Sequence, residues 1–432
     1  MHVNVGEQSR VSASSAVLSR ESLPSIPTNA DSQPTGLNVC MISYSTYELD
    51  NRVIRYAETL AKAGNHVDVL ALAQEAGGSF EEEIEGVNLF RIQRRTRRER
   101  NQLSYLVRIL LFFLRSMFFL AWRQRKVRYD IVHVHSVPDF LVYAAWLPKM
   151  RGAKVILDIH DVLPEFYGSK FRAKKDSFIF KALLMVERAS AHFADHVIIA
   201  NHIWREKLIS RSVAPEKCTA ILNYPDRNIF KPRGRARNDG KFIITYPGTL
   251  NWHQGLDIAI CAFDKIKDKA PQAEFHIYGS GPTQDQLKKL AQELGLGERV
   301  KFHGSRRLRE IAAEIENADL GVVPKRNDGF GDEAFSTKTL EFMSLGVPVV
   351  VSDTKIDRYY FDDSTVKFFQ AGNADSLAEA MLFLIQNQAF RCLLTENGLK
   401  FVNINDWDSN KDIYLNIIRQ FSPQNQGKFR AA

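Results

Sequence analysis

The chain contains little cysteine and has no apolar run near its amino terminus. Its 432 residues include four scattered cysteines, Cys40, Cys218, Cys261 and Cys392, and no CxxC pair. This pattern excludes a CxxC zinc site and a disulfide framework, and it predicts a reducing compartment. Because the first residues lack the apolar stretch of a signal peptide, we expect the protein not to be exported.

A general basic surface is also missing, although the net charge is +8. Residues 91–128 hold twelve Lys or Arg and one acidic residue, so this segment alone carries more positive charge than the chain has net. Nucleic acid is therefore not an expected partner, because the basic charge belongs to one segment and is not spread over a binding face.

The length and composition predict two globular domains after an unstructured arm. An apolar share of 45% supports buried cores, and 432 residues are too many for one compact core. Residues 1–36 are rich in Ser, Pro, Thr and Asn, with little apolar periodicity. We expect them to form a disordered amino-terminal arm.

Strand and helix patterns alternate from Leu37 onward. A strand over 37–42 is followed by a polar loop, an amphipathic helix and a second strand over 66–72, which predicts a parallel sheet. A later strand leads directly into His160, at the strand end where open α/β sheets bind ligands. We assign residues 37–227 to a first, Rossmann-like domain.

An apolar segment interrupts this alternation. Eighteen mostly apolar residues run from Tyr105 to Trp122, with Arg108 and Arg115 among them. An arginine at the centre of a bilayer costs about 2.5–3.5 kcal/mol, which argues against a spanning helix. Basic clusters on both sides favour a helix lying in an anionic membrane surface, so we assign residues 101–128 to a membrane-associating segment. A helix packed on its own sheet and a true span are the alternatives.

A polar, glycine-containing linker separates the first series of elements from a second. We place this linker at residues 228–240, and a second Rossmann-like domain at 241–405. The remaining residues, 406–432, predict a helix that packs back on the first domain, followed by a tail. The fold class is therefore α/β, with two parallel-sheet domains facing a central cleft.

The stretch over residues 327–351 carries the clearest binding pattern. A helix with Ser336 as its N-cap would present free backbone N–H groups and a positive dipole end to an anion such as a diphosphate. Lys338 adds a full charge there, and Glu333 and Glu341 flank it with seven residues between them. The stretch predicts a sugar-nucleotide site, although an ordinary capped helix could show the same spacing.

Six motifs in order resemble those of the retaining glycosyltransferases of family 4, a GT-B group that includes bacterial polysaccharide and lipid-linked saccharide transferases. The resemblance covers about residues 37–420, and its most specific element is the pair Glu333 and Glu341. The other matches are Asp158-Ile-His-Asp-x-x-Pro164, Glu187-Arg188 with Ala194-Asp195, Asn223, Tyr278-Gly-Ser-Gly-Pro282 and Phe302-His-Gly304. The resemblance implies a GT-B fold.

The resemblance also implies roles for individual residues. Glu341 would bind the ribose hydroxyls, Glu333 would contact the donor sugar, and His160 would stand near the reacting sugar. We take His160 and Glu333 as the catalytic candidates. The other donor-binding candidates are Phe335, Ser336, Thr337 and Lys338 for sugar and diphosphate, Gly279, Gly281, Gly304, Ser305 and Arg306 for the base, and Gly248 and Lys325.

Two positions depart from the family pattern on the donor side. Many members carry an Arg and a Lys on the first loop of the second domain, where this chain has Thr249 and Gln254. We therefore expect the helix start and Lys338 to meet the diphosphate charge, with Lys325 or Arg326 in support.

A further departure concerns the acceptor side. Family members usually have a glycine-rich first loop, whereas this chain has the polar stretch from Tyr44 to Arg52. The acceptor side is therefore expected to differ, and Arg52 is a candidate contact for an acceptor phosphate.

These features predict transfer of a sugar from a nucleotide-diphosphate donor to an acceptor hydroxyl, with retention and without a metal or cofactor. The expected partners are the donor, a lipid-linked or saccharide acceptor and an anionic membrane surface at the inner face of the plasma membrane. A glycoside hydrolase also uses two carboxylates, but both of these lie beside the anion site. A GT-B sugar-nucleotide epimerase and a non-catalytic nucleotide-binding protein at the membrane surface remain alternatives.

Overall fold

The computed structural model describes residues 36–74, 79–95, 102–171, 177–234 and 237–422. Two Rossmann-like domains lie within them, each built on one sheet, so the predicted fold class is confirmed. The expected disordered arm, most of the basic cluster before the apolar segment and the tail from residue 423 lie outside the described residues.

Eight strands form the sheet of the first domain. They are β1 (Asn38–Thr46), β2 (His66–Ala73), β3 (Glu81–Ile84), β4 (Val87–Arg94), β5 (Ile131–His135), β6 (Lys154–Ile159), β7 (His196–Ile199) and β8 (Cys218–Ala220). Their order across the sheet is β3-β4-β2-β1-β5-β6-β7-β8. All neighbours are parallel except β3 and β4, which form an antiparallel pair at one edge.

Helices connect these strands, as parallel pairing requires. The helices of the first domain are α1 (Asn51–Lys62), α2 (Gln102–Arg123), α3 (Trp146–Met150), α4 (Leu163–Phe171), α5 (Phe178–Phe193) and α6 (His202–Ile209). Asp50 caps α1 by accepting a hydrogen bond from the Val53 amide at 3.3 Å. The apolar face of α1, which includes Tyr56 and Leu60, is buried against the sheet, as its periodicity predicts.

The second domain has six parallel strands. They are β9 (Phe242–Pro247), β10 (Ala273–Tyr278), β11 (Val300–Gly304), β12 (Leu320–Val323), β13 (Val349–Ser352) and β14 (Lys367–Phe369). Their order is β11-β10-β9-β12-β13-β14. The helices are α7 (Leu256–Ile266), α8 (Gln284–Glu293), α9 (Leu308–Glu316), α10 (Thr337–Ser344), α11 (Lys355–Tyr360), α12 (Ala374–Gln386), α13 (Gln388–Ile404) and α14 (Trp407–Gln420).

Helix α2 buries one apolar face and exposes another. Phe112 and Leu120 are fully buried in the first domain, whereas Phe118 and Trp122 are 67% and 50% exposed. Arg115 bonds to the carbonyl of Ile92 at 3.3 Å, so this arginine lies toward the sheet edge. Judged by length and composition alone, α2 could cross a membrane, and it is the one such helix in the described part of the chain.

The last helix, α14, lies against the first domain. The Tyr414 ring stacks on Tyr56 of α1 with centroids 4.2 Å apart, and its hydroxyl lies 3.0 Å from Nδ1 of His133 in β5. Trp407 donates from its indole nitrogen to the Thr59 hydroxyl at 2.8 Å. The chain therefore returns to the first domain after completing the second.

Candidate active site

Both domains line a cavity of about 400 Å³. The first domain contributes the loop after β6, with His160 and Asp161, and the end of β1 with Ser45. The second contributes the loop before α10, including Phe335, and the first residue of that helix, Thr337. Residues that follow strands of both sheets therefore meet here, which is the usual place for ligands of open α/β sheets.

Three glycine-containing loops of the second domain lie side by side at the ends of β9, β10 and β11. The Gly279 amide donates to the Gly304 carbonyl, and the Gly248 amide donates to the Tyr278 carbonyl, both at 2.8 Å. A Cβ at Gly279 would lie 1.8 Å from the Gly248 carbonyl oxygen, and φ is +129°, so only glycine fits. A Cβ at Gly281 would likewise meet backbone at 2.4 Å.

The remaining base-side candidates continue this edge. Ser305 lies within 3.0 Å of the Ser280 hydroxyl, and Arg306 follows it on the surface. The structure thus brings Gly248, the Gly279–Gly281 turn and the residues after β11 together, and none of them is in the lining of the cavity. Their role in holding the base stays a prediction.

The start of α10 carries buried hydroxyls without partners. Ser336 occupies the predicted N-cap position, but its side chain accepts no capping hydrogen bond. The hydroxyls of Ser336 and Thr339 are buried and have no hydrogen-bond partner among the described residues. Unpaired buried polar groups cost free energy, so a polar ligand at this helix start would satisfy both them and the free N–H groups.

Lys338 lies beneath the first loop of the second domain. Its Nζ is 3.3 Å from Oε1 of Gln254 and 5.4 Å from the centre of the Tyr246 ring. A Cβ at Gly248 would lie 2.3 Å from Lys338 Cε, so the glycine leaves the room that the Lys338 side chain occupies. Burial lowers the pKa of Lys338 to about 8, against the opposing effect of Glu341. Burial therefore disfavours the ammonium more than Glu341 favours it, at the place predicted for the diphosphate.

Glu341 and Glu333, the two motif carboxylates, occupy different surroundings. Burial raises the pKa of Glu341, while Lys338 and the Thr337 hydroxyl act to lower it. Glu333 is instead held by cations, because Lys207 of α6 pairs with its Oε2 and Lys355 lies 3.5 Å from its Oε1. Glu341, the residue predicted to bind the ribose, thus lies in α10. Glu333, the residue predicted to contact the donor sugar, lies where the two domains meet.

Sequence reasoning missed Lys207. This lysine also lies 3.5 Å from Glu165, which pairs with Arg211 at 2.6 Å, so a chain of ion pairs leads from the first domain to Glu333. Asn201 strengthens the junction by donating to the Glu333 carbonyl at 3.1 Å. A lysine in an ordinary helix gives no sequence signal for such a role, since its partner lies 126 residues away.

The proposed supporting cations are already paired. Lys325 is buried and forms an ion pair with Asp357 at 2.9 Å, and it donates to the Ala334 carbonyl at 2.7 Å. Arg326 pairs with Asp257 and lies over the Trp252 ring at 4.5 Å. Both cations are already paired, so their support for the diphosphate stays a prediction, as does the main role expected for Lys338.

His160 lies on the opposite side of the cavity, in a cluster of histidines and acids. Its Nε2 is 3.1 Å from Asp158 Oδ2 and 3.3 Å from His135 Nδ1. Burial acts to lower the pKa of His160, but Asp158 outweighs it and raises that pKa above its usual value. His160 is therefore suited to donate a hydrogen bond to a sugar hydroxyl.

Arg52 lines the cavity, but its charge is already paired, so its contact with an acceptor phosphate stays a prediction. Its guanidinium is buried and donates to both carboxylate oxygens of Asp158 at 2.8 Å, and to the Ile221 carbonyl at 2.9 Å. The charge of Arg52 is thus neutralised, and together with the two histidines it holds the pKa of Asp158 well below its usual range, although burial acts in the opposite direction. Arg52 stabilises the cluster beneath His160.

Three residues in this cluster have the side-chain chemistry of metal ligands. His133, His135 and Asp158 each offer a ligand atom within 4.8 Å of the others. A cation there would lie next to the guanidinium of Arg52, which already occupies both carboxylate oxygens of Asp158. These residues therefore fit a metal poorly, while the expectation that the reaction needs none stays a prediction.

Comparison with known proteins identifies the family of this chain. The model of the glycosyl transferases group 1 matches residues 228–401, and that of the glycosyl transferase 4-like domain matches residues 49–223. An uncharacterized glycosyltransferase of Methanocaldococcus jannaschii is 24% identical over 387 residues, which cover 84% of this chain and 92% of the relative.

Two further proteins share parts or all of the fold. The GDP-mannose:cellobiosyl-diphosphopolyprenol alpha-mannosyltransferase of Xanthomonas campestris is 26% identical over 226 residues, which cover 52% of this chain and 56% of that protein. The structure of Anabaena HepE in complex with UDP and glucose has a TM-score of 0.65 and 17% identity, and the match covers 89% of this chain and all of that one. The two-domain fold, the two matching family models and the related glycosyltransferases together show that the chain belongs to the GT-B glycosyltransferases of the family 4 type.

Proposed function

We propose that the protein transfers a sugar from a nucleotide-diphosphate donor to a hydroxyl of a lipid-linked saccharide, with retention of anomeric configuration, in polysaccharide or glycan biosynthesis. The observation that carries this proposal is the start of α10. Two buried hydroxyls without partners among the described residues, the N–H groups of the first turn and Lys338 lie at this helix start, and its first residue, Thr337, lines the cavity that His160 also lines. The Anabaena protein crystallised with UDP and the Xanthomonas transferase that uses a diphosphopolyprenol acceptor support the same substrate classes.

The geometry suggests how the donor bond would be broken. As the nucleoside diphosphate leaves, negative charge grows on its oxygens, next to the amino-terminal end of α10 and Lys338. Fixed N–H dipoles and a cation near this charge stabilise the transition state more than the ground state. The acceptor hydroxyl would attack the face from which the diphosphate departs. Glu333 is paired with Lys207 and Lys355, and in this proposal it would orient the sugar rather than act as a nucleophile.

A screen of sugar nucleotides tests this function. UDP-, GDP- and ADP-sugars are compared by thermal shift, and we expect one base to raise Tm because ligand binding stabilises the folded state. Release of nucleoside diphosphate that depends on an added saccharide acceptor would support the transferase. Turnover of the donor alone to an isomeric sugar nucleotide would instead identify an epimerase, and binding without turnover would identify a non-catalytic protein.

Lys338 gives the donor site a specific pH dependence. Because burial lowers the pKa of Lys338 to about 8, the ammonium loses its proton as the pH rises through that value, and attraction for the diphosphate falls. We expect the wild-type affinity for the stabilising nucleoside diphosphate to decrease between pH 7 and pH 9. Lys338→Ala should weaken binding about tenfold at pH 7 and remove this dependence. Calorimetric titration measures both effects.

The control for this experiment is Lys400→Ala, which removes an exposed lysine of α13. It should leave both the affinity and its pH dependence unchanged. Unchanged affinity in the Lys338 variant would refute its role in replacing the charges missing at Thr249 and Gln254.

We further propose that the exposed apolar face of α2 holds the protein peripherally on an anionic membrane. This face includes Leu106, Leu110, Leu114, Phe118 and Trp122. Phe118→Asp should weaken binding to phosphatidylglycerol vesicles at least about tenfold, because it removes an apolar side chain from the contact and adds a negative charge. Vesicle flotation measures the loss. Ile404→Asp, at an exposed apolar position of α13, should float like the wild type, and equal flotation of the Phe118 variant would contradict the proposal.

A further inference from the structure

One wall of the cavity holds no residue that we assign to the donor. It consists of residues from the end of β1 to the start of α1, namely Ser45, Thr46, Leu49, Asp50 and Asn51, together with Arg95 just after β4. A smaller cavity of about 200 Å³ adjoins it and shares Ser45, Asp50, His160 and Asp161. All of these wall residues belong to the first domain, whereas the residues assigned to the donor site, apart from His160, belong to the second.

Arg95 is a cation of this wall whose side chain has no partner among the described residues. In that part of the chain, two arginines line the cavity, Arg52 and Arg95. Arg52 is buried against Asp158, whereas the exposed side chain of Arg95 forms no hydrogen bond or ion pair with the described residues. Its backbone amide bonds to the Ala73 carbonyl at 3.0 Å, which fixes the residue at the end of the sheet. Asp50, the acid of this wall, already accepts hydrogen bonds from Ser45 and Val53.

The strand that ends before Arg95 runs along α2. Gln93 donates to the Arg108 carbonyl at 3.1 Å, and Arg115 donates to the Ile92 carbonyl. On the other side of the same wall, the Tyr44 ring meets the Phe112 ring of α2 with centroids 5.2 Å apart. The strand that leads to Arg95 and the end of β1 therefore both pack against α2, the helix whose other face carries the exposed apolar residues.

We propose that Arg95 binds the phosphate that joins the acceptor's saccharide to its lipid. The saccharide would lie in the cavity beside His160, and the hydrocarbon chain along the apolar face of α2. A guanidinium binds two phosphate oxygens at once, which fixes the distance between the phosphate and the reacting hydroxyl. This proposal rests on the proposed transferase function and names the group by which that function would recognise its acceptor.

Binding of simple amphiphiles tests the proposal. Undecyl diphosphate and undecyl glucoside are titrated into the full chain. The nucleoside diphosphate that raises Tm is present at a saturating concentration, so that the donor site is occupied. Arg95→Ala should weaken undecyl diphosphate binding about tenfold, and Arg95→Lys should recover part of it as a single charge. Undecyl glucoside should bind equally to all variants. Arg94→Ala, which removes the same charge one residue earlier and outside the cavity lining, should behave as the wild type.

Two results would overturn the proposal. The first is undecyl diphosphate binding that is unchanged in Arg95→Ala. The second is an equal loss of binding to phosphatidylglycerol vesicles in that variant, which would assign Arg95 to membrane headgroups. Failure of the proposed transferase function would give a different result, because no sugar nucleotide would then raise Tm in the wild type. The effect of Arg95→Ala on undecyl diphosphate binding is measured separately from that result.

Discussion

Replacing His160 with alanine is expected to lower kcat for sugar transfer by on the order of a hundredfold, with a much smaller effect on donor binding. The imidazole lies in the cavity lining opposite α10, where it would hold the sugar by a hydrogen bond. Loss of such a positioning contact misplaces the reacting atoms, and small misplacements can cost about this much. Steady-state transfer and donor titration separate the two effects.

The pH dependence of kcat tests whether the protonated ring is the active form. Burial acts to lower the pKa of His160, but Asp158 outweighs it, so the ring keeps its proton to a higher pH than an ordinary histidine and loses it as the pH rises through the raised value. We expect kcat to fall on that basic limb in the wild type, and the limb to be absent in His160→Asn. His192→Ala, at an exposed position of α5, should change nothing. Wild-type kcat in His160→Ala would exclude the residue from the reaction.

Replacing Asp158 with alanine is expected to destabilise the protein by about 3–5 kcal/mol, because it leaves a buried guanidinium without its partner. Both Asp158 and Arg52 are almost fully buried, and they share two hydrogen bonds of 2.8 Å. The double variant Asp158→Ala/Arg52→Met should recover much of the loss, since it removes the orphaned charge as well. Thermal unfolding measures each change in Tm.

The ion pair between Asp158 and Arg52 also makes the free energy of unfolding fall at low pH. The pKa of Asp158 is held well below its usual range, so its contribution is complete above the unfolded pKa of about 4 and is lost as the pH falls through the folded value. Asp363→Ala serves as the matched control. It breaks an exposed pair with Arg358 at 3.1 Å and should cost less than about 1 kcal/mol. Equal Tm losses in the two variants would contradict the assignment.

The predictable parts of the fold are those in which local pattern and tertiary environment agree. The β-branched run from Val349 to Val351 is fully buried as β13, and the apolar period of α1 faces the core. The β3–β4 pair was not predicted, because three glutamates at Glu81–Glu83 carry no apolar alternation. Backbone pairing with β4 and the ion pair of Glu82 with Arg91 at 2.6 Å hold this edge instead.

The candidate site shows the same contrast between features set by local sequence and features set by tertiary contacts. Glycines, the helix cap and the motif carboxylates stand in short stretches whose chemistry is local, so their places could be predicted. Lys207, Lys325 and Arg52 depend on partners far along the chain, and no spacing reveals that Lys325 faces Asp357 or that Arg52 faces Asp158. Long-range charge pairing therefore decided which of the predicted cations are available to a substrate.

The return of α14 to the first domain bears on how the chain can be divided. Tyr414 covers Tyr56 and meets His133, which are otherwise interior to the first domain, and the side chain of Trp407 closes over the same face of α1. A fragment that ends at the linker would leave this aromatic surface and the His133 ring open to water. We therefore expect the first domain alone to be less stable than the same domain in the full chain, because α1 and β5 would lose the packing that α14 gives them.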